Sequence, residues 1–571
     1  MRRAGNRARL SRIAAGLAFG AAALAGCTAG GDGDRVHGES GAAGSEGAPV
    51  AGENSRTQPA IVAPTVAARV PGEVPTVAGP RIGFHPTAEE WGVALEAARG
   101  LTLSEAAGQV IVAAVSAPDP EAARALVADH HLGGVILMGG AVTDAQGVSA
   151  LTTAVASADD RDWPVWIATD EEGGPVSRLA GVVRPMPAFM AAGAARDKDA
   201  VTAAYAGLGR DLHALGINVD FAPVADVTIG LADPIIRTRS AGSDPTAVGE
   251  TVVAASTGFA HGGVVPVIKH FPGHGSVTTD SHHDLPVQER SVEEILDTDV
   301  APFATAIDAG APVVMMGHIA IPEWGAEPAT LEPAAYAHLR EELGFDGVVV
   351  TDALNMGAIA NHHGAGEAAV MALAAGADTL LMPASVNGAI EGIVEAVESG
   401  RLDRARLDEA AARTIALMRW AGGIEPGDPA VLEGDALADL FAGDYARALA
   451  AAGATVATAD CSAPLVGEAA TVTGGTDAQR ATLEAALEAR GVALGGGASV
   501  RLIASGTTAA TADVVVVLGD PWHLDRSDAG AYVALYGRTA SALEGLADVL
   551  TGAVPPGGDW PVDLDLPWPA C

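Results

Sequence analysis

From about residue 85 onward, short runs of consecutive apolar residues alternate with longer Ala-, Leu- and Glu-rich stretches whose apolar positions recur at helical spacing. The runs lie at 109–115 (QVIVAAV), 133–138 (GGVILM), 164–170 (PVWIATD), 217–224 (INVDFAPV), 264–270 (VVPVIKH), 312–318 (PVVMMGH), 346–352 (DGVVVTD) and 377–383 (ADTLLMP). Each is near-continuously apolar instead of alternating, as expected of a strand buried on both faces of a parallel sheet. Helical segments such as PEAARALVADHH and AAVMALAAGA fall between them. Eight such strand–helix units predict a (β/α)8 TIM-type barrel over 85–425, closed by the helical passage GRLDRARLDEAAARTIALMRWAGG.

Beyond it the pattern starts again on a smaller scale. ATVATAD, ATVTGG, VRLIAS and TADVVVVLGD read as strands, DAQRATLEAALEARG as a helix, and about Asp528 to Leu550 as one long helix. These predict a smaller α/β sandwich domain over 426–571. Its TGG and GGG segments lack a full phosphate-binding fingerprint and read as turns.

The first 27 residues differ from both. MRRAGNRARLSR carries five arginines, and the apolar run after it has signal-peptide length, too short for a stable membrane span. Leu24-Ala25-Gly26-Cys27 resembles the lipobox of bacterial lipoproteins, which predicts lipidation at Cys27. Residues 28–84 are rich in Gly, Ala, Pro and acid, a composition that cannot bury enough apolar surface to offset its ordering entropy. The expectation is a folded body tethered by lipid to the extracytoplasmic face of the cell membrane. Cys461 and Cys571 are then available for a disulfide in an oxidising compartment.

Composition narrows the partners. The chain is 49% hydrophobic and 18% charged, with a formal charge of −38, so nucleic acid and a bare anionic membrane surface would repel it. Its thirty-three basic residues include only two lysines, Lys198 and Lys269. Arg and Lys are not interchangeable at a tight site, which draws attention to Lys269.

Polar residues cluster at one end of the predicted strands: Asp170, Asp226, Lys269 with His270, His318 and Asp352. In a barrel of this kind that rim carries the active site. The loop after the fifth strand, KHFPGHGSVTTDSHHDLP, adds His274, Asp280, His282 and His283. His270 and His274 have the spacing of a zinc-binding helix, but Pro272 and Gly273 between them break helices, so no metal is assigned. A catalytic reading fits the same residues: Asp280 can orient the imidazole of His282, and histidine suits proton transfer near neutrality. Asp352 would project into the barrel mouth as a nucleophile or electrostatic stabiliser, although an aspartate there could also cap the following helix.

KHFPGHGxxxxDSHxxxP, together with DEEGGPVSRL at 170–179, RSAGSDP at 239–245, the opening LxLxExxGQ at 101–109 and ELGFDGVVVTDALNM at 342–356, resembles glycoside hydrolase family 3, in its β-N-acetylglucosaminidase branch. The resemblance runs from about residue 95 to 420. It implies a cofactor-independent retaining enzyme that removes terminal β-linked N-acetylglucosamine from cell-wall or chitin-derived glycans. By the same resemblance Asp352 is the nucleophile, His282 the general acid/base assisted by Asp280, and Asp170, Arg178, Arg239, Lys269 and His270 hold the sugar. Two departures, Pro175 after EGG and Ala353 after the nucleophile, bear on recognition beyond that sugar. A His–Asp pair in place of a second carboxylate also admits anionic acceptors, so a phosphorylase using the same site is an alternative to a hydrolase. A β-glucosidase or β-xylosidase of the family, a metal-dependent hydrolase and a non-catalytic sugar-binding lipoprotein are the other readings.

Overall fold

The protein is described by a computed structural model covering residues 83–423, 444–504 and 509–571. Cys27, the predicted tether up to residue 82 and the predicted domain boundary at 425–426 lie outside the described residues.

Every one of the eight apolar runs contains a strand. These are β1 Ile111–Val115, β2 Gly134–Leu137, β3 Trp166–Thr169, β4 Val219–Asp220, β5 Val265–Phe271, β6 Val313–Met316, β7 Val348–Thr351 and β8 Leu380–Leu381. They form one eight-stranded sheet in the order β8-β1-β2-β3-β4-β5-β6-β7, with all pairs parallel. The parallel bridge Val350↔Thr379 brings the sheet back on itself. Buried Asp378 supports that seam: it accepts from Val349 N at 2.9 Å, Arg340 Nη2 at 2.6 Å and Arg406 Nη2 at 3.0 Å.

The helices begin where local chemistry starts them. Pro245–His261 has Pro245 in its first turn, and its N-cap Asp244 accepts from Thr246 N and Ala247 N. Pro lacks the N–H that would be unpaired there, and Asp supplies an acceptor for the free amides. The helix therefore starts directly after RSAGS and fixes the end of the segment carrying Arg239.

The second region is a six-stranded sheet built from β9 Thr455–Thr458, β10 Ala469–Gly474, β11 Ala493–Leu494, β12 Ala498–Ile503, β13 Thr511–Val517 and β14 Asp528–Ala534, in the order β9-β14-β13-β12-β10-β11. Only the β9–β14 pair is antiparallel. One apolar cluster contains Val514, Val516, Val533 and Leu546, and a second contains Val515, Val517, Tyr532 and Ala534. Alternate residues of one strand thus serve two faces, the requirement of a sheet covered on both sides.

The expected long helix from Asp528 to Leu550 is corrected here. Residues 528–534 are a strand, and the helix is Ala540–Leu550, capped by Thr539. Ala- and Leu-rich composition favoured helix, but β14 is paired on both sides, with β13 and β9, and tertiary pairing overrides a weak local preference. Cys461 and Cys571 form a disulfide, with Cα atoms 5.4 Å apart.

Candidate active site

Strand ends build the site. Asp170 directly follows β3, Lys269 and His270 are among the last three residues of β5, and Asp352 directly follows β7. A barrel strand directs its C-terminal residues towards one mouth, so three distant segments converge there.

Four of the five sugar-binding candidates, Asp170, Arg178, Arg239 and Lys269, belong to one ionic network. Lys269 Nζ lies 2.8 Å from Asp170 Oδ1, and Arg178 Nε lies 3.9 Å from Asp170 Oδ2. Lys269 Nζ also lies 2.6 Å from Glu172 Oε1, and Arg239 donates to both Glu172 oxygens at 2.8 and 2.9 Å. Glu172 therefore joins Lys269 to Arg239, a role its sequence position had not assigned. Burial opposes its charge, but Arg239 and Lys269 outweigh that and hold the carboxyl well below the usual range. No local signal marks it, because its partners Arg239 and Lys269 lie far along the chain.

The middle acid has a different task. Glu171 accepts from Ser177 Oγ at 2.5 Å and Leu179 N at 2.8 Å, gripping the chain on either side of Arg178. Burial pushes its carboxyl up to about 7, against those two hydrogen bonds.

His270 is anchored from behind by Asp226: its Nδ1 lies 2.6 Å from Asp226 Oδ2, and its backbone N donates to Oδ1 at 3.1 Å. His274, the other member of the zinc-like spacing, faces a different partner, Ser281 Oγ, at 2.8 Å. The two imidazoles are thus committed to separate groups.

Asp352 is half-buried, and its Oδ1 accepts from Ala353 N at 2.7 Å. Burial alone would raise its carboxyl. The imidazoles of His318 and His270, the Ala353 amide and Lys269 bring it down to about 2 instead. It is therefore an anion across the physiological range, the state a nucleophile needs. His318, at the end of β6, is fully buried, with Nδ1 2.7 Å from Thr330 Oγ1 and Nε2 3.0 Å from the Ala353 carbonyl oxygen. It lies beside Asp352, and its position at a strand end was the signal for it.

The proton-transfer candidates lie on the loop after β5. His282 Nδ1 is 2.8 Å from Asp280 Oδ1, which also accepts from His282 N at 2.9 Å. The His282 side chain is 58% exposed, so solvent or a leaving group can reach it. His283 lies 3.7 Å from Asp280 Oδ2 and is still more exposed.

Residues 102–417 match the model of the glycosyl hydrolase family 3 N-terminal domain. The chain belongs to glycosyl hydrolase family 3. Among its family 3 relatives, the β-hexosaminidase LpqI of Mycobacterium tuberculosis (strain H37Rv) is 35% identical over 314 residues, covering 53% of this chain and 80% of that protein. The β-hexosaminidase A of Pseudoalteromonas piscicida is 32% identical over 335 residues, and the match spans 56% of that relative's own length. A solved family 3 β-N-acetylglucosaminidase from Paenibacillus sp. FPU-7 superposes with a TM-score of 0.68 at 28% identity, covering 81% of this chain and 99% of that one. This family 3 chain therefore shares both of its sheets' architecture with a known two-domain glycosidase fold.

Proposed function

We propose that the protein is a retaining exo-β-N-acetylglucosaminidase acting on peptidoglycan or chitin-derived glycans. Asp352 attacks the anomeric carbon and forms a glycosyl-aspartate, while His282 protonates the departing glycosidic oxygen. In the second step His282 takes a proton from water, which attacks the same carbon and frees Asp352. Asp280 orients the imidazole and supports its positive form. Asp170, Arg178, Arg239, Lys269 and His270 hold the sugar. The observation that carries the reading is the ionised, half-buried Asp352 on the rim that also presents the exposed His282–Asp280 pair. The relatives named β-hexosaminidase and the solved β-N-acetylglucosaminidase support the substrate class.

Aryl β-glycosides of N-acetylglucosamine, glucose and xylose, each with and without phosphate, test it. Turnover of the N-acetylglucosaminide by wild type, with Asp352→Ala slower by at least about 1,000-fold, is expected. Preference for the glucoside or xyloside would reject the sugar assignment. A sugar 1-phosphate as main product would make the enzyme a phosphorylase.

The reading also includes lipid attachment at Cys27, which would hold the enzyme at the extracytoplasmic face beside such glycans. Cells fed a palmitate analogue should label the wild-type chain and not Cys27→Ala; equal labelling would sink the anchor.

A further inference from the structure

The imidazole of His282 is exposed and touches its own loop through Asp280, so its position depends on what holds the backbone of residues 280–283. Two grips act on that backbone from different sides. The first comes from the floor of the barrel mouth. Asp226, fully buried, accepts the backbone amides of His270 at 3.1 Å and His274 at 2.7 Å through the same oxygen. The His274 imidazole then reaches Ser281 Oγ, and both side chains are buried. Ser281 lies between the two members of the proton-transfer pair.

The second grip comes from the segment that follows Asp352. Gly357 N donates to the His282 carbonyl oxygen and Ala358 N to the Ser281 carbonyl oxygen, each at 3.2 Å. A Cβ at position 357 would lie 2.6 Å from His283 O and 2.8 Å from His282 O. Contacts that short do not occur, so any larger residue at 357 must push the His282 loop away. The loop with the proton donor is thus docked on the same short stretch of chain that carries the nucleophile.

We propose that His274, Ser281 and Gly357 are positioning residues that set His282 against the bond to be broken. The inference rests on the glycosidase reading above. A proton donor works only within hydrogen-bond reach of the leaving oxygen, and small misplacements cost orders of magnitude in rate. Releasing either grip would leave the ionic network of Asp170, Glu172, Arg239 and Lys269 in place, and with it sugar binding, while moving the donor.

Leaving-group dependence separates this from a general structural role. A 2,4-dinitrophenolate departs without a proton, whereas phenol needs one. For the full-length protein, kcat/KM is measured on the 2,4-dinitrophenyl and phenyl β-N-acetylglucosaminides. Ser281→Ala should lose about 10- to 100-fold on the phenyl substrate and stay within about 3-fold of wild type on the dinitrophenyl substrate. Gly357→Ala, which acts from the other side and keeps the serine, should show the same selective loss and carries the test if Ser281→Ala does not fold. His274→Gln, which can still offer a polar atom to Ser281, should lose less than His274→Ala on the phenyl substrate. Equal losses on both substrates, or no loss on the phenyl substrate, would overturn the positioning role. Wild type that cleaves neither substrate would overturn the glycosidase reading itself, and the positioning role with it.

Discussion

Three consecutive carboxylates do three different things. Asp170 faces the mouth with Lys269 and Arg178, Glu172 is sealed between Lys269 and Arg239, and Glu171 points back to grip Ser177 and Leu179. Of the three, sequence position marks Asp170 alone, because a strand end shows which residue reaches the rim and says nothing about the turn that follows. Glu171 carries a pH consequence. Its carboxyl is raised from an ordinary 4.5 to about 7 by burial, so between those values the folded protein keeps a proton that the unfolded chain has released. Stability then falls as pH rises through about 4.5 to 7, by up to the order of 3 kcal/mol from this group. Glu171→Gln cannot ionise, so its urea-unfolding free energy should decline less than that of wild type between pH 5 and pH 8. An identical decline in both proteins would assign the pH dependence to other groups.

At the scale of elements, the barrel strands were legible because each is buried on both faces and must be apolar throughout. The same feature limited the reading of their lengths: β4 and β8 have two residues each, although the apolar runs around them have seven or more. Flanking residues are buried and make single bridges, Val224 to Lys269 and Thr379 to Val350, without extending a continuous ladder. In the second domain, DAGAYVA became β14 between β13 and β9, although its composition suits a helix. A seven-residue segment has too few turns for periodicity to decide, so its partners did. The hairpin of Glu171–Gly173 and Val176–Ser177 was likewise not foreseen; Gly173 and Gly174 make its turn at φ of 87° and 57°, a conformation open to glycine.

At the scale of the whole molecule, the second domain braces the loop that carries Arg239. Arg237 Nη2 lies 2.5 Å from Asp520 and its guanidinium lies over Trp522, while Ser243 N donates to Pro561 O at 2.9 Å. The last residues of the chain thus run along the barrel and return to β9, where Cys571 N donates to Val456 O at 2.7 Å and the disulfide to Cys461 closes the circuit. That bond spans 110 residues of sequence. A cross-link over a loop of about 100 residues removes unfolded-state entropy worth roughly 4 to 5 kcal/mol, an upper figure for most disulfides. The double variant Cys461→Ser/Cys571→Ser should lower the unfolding temperature of the second domain by roughly 5 to 10 °C, and reductant should do the same to wild type and nothing to the variant. A calorimetric scan in which wild type and variant coincide would assign the disulfide no part in stability.

The order of the eight barrel strands, the rim that carries the candidate site and the choice of Asp352, Asp280 and His282 as candidates were carried by the sequence, because burial on two faces and helix-breaking residues leave a local record. What belongs to the tertiary structure alone is which charges neutralise one another. Glu172 meets Arg239 across 67 residues, Lys269 meets Asp170 across 99, and His274 meets Ser281 through a loop whose path no periodicity describes. The physical reason is that an ion pair in a closed barrel is set by where strands converge, and convergence is a property of the closed sheet, which no single segment contains.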